Sequence, residues 1–106
     1  MFDCLEVSLQ FLEELVPIET VIRRKSASLG KQLADASESI ALNLGEGRRR
    51  RDGDRRRHYE MADGSASEVT TALRIAVRKH YITAEQFATV DVTLDRVRAM
   101  LYRLTQ

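Results

Sequence analysis

Apolar residues recur in alternating steps of three and four through nearly the whole of this chain, and that spacing constrains the fold more than any other feature. It is the pattern of helices that each bury one stripe against neighbours. With one Pro and five Gly among 106 residues, few positions force regular structure to stop. Four segments carry the pattern. The first runs through Leu5, Leu9, Leu12 and Val16, with a second stripe at Val7, Phe11, Leu15, Ile18 and Ile22 that makes the face broader than a helix with two neighbours needs. Pro17 removes a backbone donor and crowds the preceding turn, so a kink or a break is expected near Glu14–Pro17. The second segment places Leu29, Leu33, Ala36, Ile40 and Leu44 on one side, begins near the cap candidates Ser26 and Ser28, and is expected to stop at Gly45 and Gly47.

The third segment keeps heptad spacing through Tyr59, Ala62, Ala66, Val69, Leu73 and Ala76, with Asp52 or Asp54 available as its cap. Its middle, Ala62 to Ser67, is made of small residues, so a neighbouring backbone can come close. Such packing would compensate the ~1 kcal/mol that Gly64 costs relative to Ala in an exposed helix. The fourth opens on Thr83 and Gln86, a capping-box pair, and continues through Phe87, Val90, Leu94, Val97, Leu101 and Leu104. The segments place helices at residues 3–25, 28–46, 54–80 and 83–105. Connections this short make consecutive helices antiparallel neighbours. The expected fold is all-α: one domain, residues 1–106, an up-down-up-down antiparallel four-helix bundle. Nothing alternates with period two between turn residues, so no sheet is expected.

Several function classes fall away. The apolar runs are too short for a membrane span and the N-terminus lacks a basic segment ahead of an apolar one, which points to a cytoplasmic protein. The single cysteine, Cys4, cannot make an internal disulfide and fits a reducing compartment. His58 and His80 stand 22 positions apart with no HxxxH or ExxH partner, whereas metal-binding bundles repeat such motifs on two helices. His80 reads as a packed or capping histidine beside Tyr81. Gly45-Glu46-Gly47 follows a helix and lacks the Gly-Lys-Ser/Thr ending of a phosphate loop. A non-enzymatic protein without metal or cofactor is expected.

The net charge of +1 conceals a division along the chain. Residues 1–47 hold four basic and eight acidic side chains, residues 48–58 hold seven Arg and two Asp, and residues 59–106 hold six of each sign. Arg48, Arg49, Arg50 and Arg51 follow the second helix, where cations suit the negative end of the dipole. Arg55, Arg56 and Arg57 are expected in the first turn of the third helix, where cations oppose the dipole, so helix stability does not explain them. A guanidinium stays charged and offers a planar fork of donors that grips phosphate oxygens, which makes a nucleic-acid backbone the natural target of these seven residues. Tyr59 is placed to stack on a base, although its heptad phase favours a core or interface position. The alternative is an interaction scaffold whose arginines are solvated or meet an acidic protein.

Ser39–Gly47 (SIALNLGEG), the arginine-rich turn, His58–Leu73 (HYEMADGSASEVTTAL) and His80–Thr83 (HYIT) together resemble a four-helix bundle protein family. That family includes proteins encoded in intervening sequences of bacterial large ribosomal RNA genes and the accessory variability determinant of diversity-generating retroelements. The resemblance rests on an Asn-x-x-Glu-Gly element, here Asn43, Glu46 and Gly47, and a Gly-Ser-x-x-Glu element, here Gly64, Ser65 and Glu68. It implies a homopentamer of antiparallel bundles, with no known enzymatic activity in most members. For the retroelement branch it also implies a basic surface that binds RNA and DNA and contacts a reverse transcriptase. A pentamer would give the second stripe of the first helix a place to be buried. Asn43, Glu46, Ser65 and Glu68 are assigned a mainly structural job near the small-residue crossing of the second and third helices.

Overall fold

The computed structural model describes residues 3–106 and folds them into four helices: α1 (Cys4–Lys25), α2 (Ala27–Arg49), α3 (Asp52–Arg78) and α4 (Ala84–Leu104). Each helix packs on its neighbours in the chain and α1 closes the square against α4, while α1 and α3, like α2 and α4, face across the diagonals. The up-down-up-down bundle expected from the spacing is the observed fold. It measures 42 × 25 × 20 Å.

Local chemistry sets the helix starts. The Asp3 side chain accepts from the Glu6 amide at 3.0 Å, and Ser26 accepts from the Leu29 amide at 3.1 Å. Thr83 and Gln86 form the complete reciprocal box, at 3.0 and 2.8 Å. Each bond satisfies an amide that the helix leaves without a partner. α3 has no such cap: Arg51 occupies the N-cap position without a side-chain bond, so neither Asp52 nor Asp54 plays the expected part. At the other end of α3, His80 adopts the left-handed conformation at φ 62°. The His80 amide donates to the Val77 carbonyl at 3.0 Å and the Tyr81 amide to that of Ala76 at 2.8 Å, a Schellman ending with histidine where glycine is usual. His80 is exposed, so it terminates the helix by its backbone and not as a packed side chain.

The core confirms three stripes and reverses one. Leu33, Ile40 and Leu44 of α2 are buried, as are Val90, Leu94, Val97 and Leu101 of α4, while Leu104 at the end of that stripe is exposed. Each such side chain contributes about 1.5–3 kcal/mol by leaving water. α3 offers mostly alanine, with Ala62, Ala66 and Ala76 fully buried, so the larger residues of α2 fit against a thin surface. In α1 the stripe through Val7, Phe11, Leu15, Ile18 and Ile22 is the core, whereas Leu9 and Val16 are exposed. The expectation that this second stripe awaited an oligomer is therefore corrected: it is buried within the single chain. Both stripes are apolar, and only the third dimension ranks them. α1 also runs unbroken through Pro17, which is exposed.

The glycines differ from expectation as well. Gly45 and Gly47 lie inside α2, which continues to Arg49. Gly47 is required for a contact: a Cβ there would lie 2.5 Å from Tyr59 Cε1 and 2.8 Å from Cδ1. Gly64 meets nothing, because a Cβ there would have no heavy atom within 4 Å. The close approach expected at Gly64 is absent; close ones lie at Gly47 and at Gly30, where a Cβ would lie 2.8 Å from the Arg23 Cα.

Candidate nucleic-acid interface

The seven arginines gather at the bundle end that carries the α2–α3 turn. Arg48 and Arg49 complete α2, Arg50 and Arg51 make an extended two-residue link, and Arg55–Arg57 follow the first three residues of α3. Because α3 begins at Asp52, its first turn holds Asp52 and Asp54, and the arginines start the next. The expected conflict with the helix dipole is thereby relieved. Asp52 takes φ 51° to make the sharp entry, a conformation that Asp tolerates better than most residues.

Two of the arginines bind backbone. Arg55 Nε donates to the carbonyls of Gly47 at 3.1 Å and Arg50 at 2.9 Å, and its Nη2 to that of Arg48 at 3.3 Å. It thus satisfies carbonyls at the end of α2, which explains why that helix persists past two glycines. Arg56 donates to the carbonyls of Thr105 at 2.7 Å and Gln106 at 3.1 Å, clamping the end of α4. The other contacts are ion pairs: Arg48 with Asp3 at 3.2 Å, Arg50 with Glu46 at 3.1 Å and Asp54 at 3.5 Å, Arg57 with Asp54 at 3.0 Å, and Arg56 with Glu60 at 3.5 Å. Arg49 reaches Glu46 at the 4.0 Å limit, and Arg51 has no ion pair among the described residues. The Arg57 hydrogen bond, aided by nearby Arg50, holds the Asp54 carboxyl below its ordinary pKa. All seven arginines remain exposed.

Behind them lies a polar ladder between α2 and α3. Ser65 Oγ donates to Ser39 Oγ at 2.9 Å, Asn43 Nδ2 donates to the same oxygen at 3.1 Å, and Asn43 Oδ1 lies 3.1 Å from His58 Nδ1. Asn43 and Ser65 therefore sit at the crossing. Glu46 instead faces the arginines, and Glu68 is exposed with no ion pair among the described residues. Ser39, which the spacing left unremarked, and His58, weighed above only as a metal ligand, complete the ladder; the Ser39–Asn43 spacing of one helical turn is the signal that was there. No buried side-chain nitrogen or oxygen among the described residues lacks a partner. Tyr59 packs half-buried on Gly47, so its ring belongs to the bundle. No helix of the described residues is long and apolar enough to cross a membrane.

Comparison with solved structures finds the same architecture in a protein of unknown function from the S23 ribosomal protein family of Bacteroides thetaiotaomicron VPI-5482. The TM-score is 0.89 at 22% identity, covering 97% of this chain and 98% of that one. No curated protein matches the chain. The family model described as 23S rRNA-intervening sequence protein matches residues 2–103, nearly the full length of the four helices. The chain therefore belongs to the 23S rRNA-intervening sequence protein family.

Proposed function

We propose that this protein is a non-enzymatic, cytoplasmic accessory protein that binds the phosphate backbone of nucleic acid, RNA in the first instance, through its arginine end. One observation carries the reading: among the described residues, seven exposed guanidiniums meet four carboxylates within ion-pair reach, Asp3, Glu46, Asp54 and Glu60. Exposed pairs of this kind are worth about 0–1 kcal/mol each, so phosphate can replace them at little expense. The family description names rRNA intervening sequences, which makes RNA the first ligand to test. Contacts of this type position a backbone without reading sequence, so binding is expected to be steeply salt-dependent and weakly selective.

The homopentamer implied by resemblance belongs to the same proposal. Its support is the set of apolar side chains left outside the bundle, Val16 at 59% exposure, Leu42 at 70% and Val92 at 66%. Repetition of the arginine end around a ring would raise avidity without new contacts. Light scattering tests the assembly directly. The reverse transcriptase of the retroelement branch forms no part of the proposal.

A second reading, an interaction scaffold, draws on Arg55 and Arg56, whose guanidiniums are committed to backbone carbonyls. The experiment that separates the two spares those residues. Arg49→Gln, Arg51→Gln and Arg57→Gln together remove three charges without removing a carbonyl cap. On the nucleic-acid reading, the salt slope of binding to single-stranded RNA becomes shallower by about 2. An unchanged slope with an unchanged melting temperature refutes it and favours the scaffold.

A further inference from the structure

The fold assembles a second cationic pole that the chain's linear charge pattern hides. Between Glu19 and Asp35 there is no acid, and the interval holds Arg23, Arg24, Lys25 and Lys31. Between Glu68 and Glu85 there is again no acid, and that interval holds Arg74, Arg78 and Lys79. The first interval contains the α1–α2 turn and the second the α3–α4 turn, so the bundle brings them to the same end, opposite the arginine turn. Arg74, Arg78 and Lys79 line one shallow, wide-open cleft with Thr71 and Ile75, all of it on the last turns of α3 and its cap. The adjoining hollow joins Lys79, Ile75 and Tyr81 to Ser26, Ser28 and Gln32 of the other turn, showing that the two intervals abut.

This pole is neutralised less than the first. Arg23 pairs with Glu19 at 3.7 Å and Lys31 with Asp35 at 2.7 Å, but Arg24, Lys25, Arg74, Arg78 and Lys79 have no ion pair among the described residues. Lys79 lies 5.8 Å from the Tyr81 ring centre, which steadies it beside the cleft. All five unpaired cations are exposed. Charge on the last turns of α1 and α3 suits the dipole, yet that gain fades within one turn, and Arg74 stands farther back along α3. Ile75 provides an apolar floor between guanidiniums, a surface suited to a ribose or base edge beside a bound phosphate.

From this we infer that the cleft formed by Arg74, Arg78 and Lys79 is a second phosphate-backbone site, so that one chain engages two segments of nucleic acid, one at each end. The inference takes its ligand class from the proposed function but needs nothing from the arginine turn. Arg57 and Arg74 stand 17 positions apart on α3, roughly 25 Å at 1.5 Å rise per residue, so the two sites do not share a run of two or three nucleotides.

The test titrates a short oligouridine, read by fluorescence anisotropy over a range of salt, into the wild type and two variants. Arg74→Gln/Arg78→Gln/Lys79→Gln removes the second pole and Arg49→Gln/Arg51→Gln/Arg57→Gln weakens the first. The second-pole variant is expected to bind one oligonucleotide per chain where the wild type binds two. The oligonucleotide that remains is held at the arginine turn, so its slope of log affinity against log salt is expected to match that of the same site in the wild type. Arg74→Lys/Arg78→Lys, which keeps the charge, is expected to retain both stoichiometry and slope. Two per chain in the Gln variant overturns the inference, and so does binding of polyglutamate, but not of oligouridine, that the Gln substitutions abolish. If the first-pole variant alone proves indistinguishable from wild type, the arginine turn fails as a site and the second pole stands.

Discussion

Gly47 and Gly64 lie in helix interiors, and replacing each by Ala is the same chemical change in two opposite surroundings. Neither has a positive φ, so Ala fits both backbones and gains about 1 kcal/mol of helix propensity at each. At Gly64 nothing opposes the gain, because no heavy atom lies within 4 Å of the new Cβ. Gly64→Ala is therefore expected to stabilise by about 1 kcal/mol and to raise the melting temperature by about 4 °C. At Gly47 the new Cβ would meet Tyr59 Cε1 at 2.5 Å, Cδ1 at 2.8 Å and Cζ at 3.3 Å. The ring must move, and overpacking of this kind costs about 1–3 kcal/mol. Propensity cancels between the variants, so Gly47→Ala should be less stable than Gly64→Ala by about 1–3 kcal/mol. Thermal and urea denaturation followed by far-UV circular dichroism measure that gap. Repeating Gly47→Ala with Tyr59→Ala removes the ring and should close it, the remainder of the double-mutant cycle being the contact itself. Equal stabilisation by the two glycine replacements would show that Tyr59 does not pack on Gly47, and the account of the α2–α3 crossing would fail with it.

Two further predictions concern single residues. His80→Gly is expected to stabilise by about 1 kcal/mol, because the left-handed conformation at φ 62° costs an L side chain that much and glycine little; unfolding in urea checks it. Burial, reinforced by Asp3, raises the Cys4 thiol from 9.0 to about 11. The folded protein thus holds a proton that the unfolded chain releases first, so this group's contribution is fully present below pH 9.0 and is lost as pH rises through about 11. Cys4→Ala should flatten that alkaline decline, as read from the difference between the stability curves of variant and wild type.

Much of the fold was legible because three helices each have only one apolar face. Leu33, Ile40 and Leu44, or Val90, Leu94 and Val97, could point nowhere but inward. α1 defeated the same reasoning because Leu9 and Val16 are as apolar as Phe11 and Leu15, and spacing alone does not rank parallel stripes. The end of α2 was misplaced because its last carbonyls are satisfied by Arg55, a partner eight residues beyond Gly47. The arginine turn announced itself as consecutive letters. Arg74, Arg78 and Lys79 did not, since they are scattered letters until α3 winds them around one cleft and the fold sets Lys79 beside the start of α2.

Running two helices in each direction has an electrostatic consequence. Every end of the molecule presents two amino-terminal and two carboxy-terminal turns, so their half-charges offset one another and the peptide scaffold is nearly silent at both faces. The potential that an approaching polyanion feels is then written almost wholly by side chains, which can be exchanged one at a time while the rods beneath stay as they are.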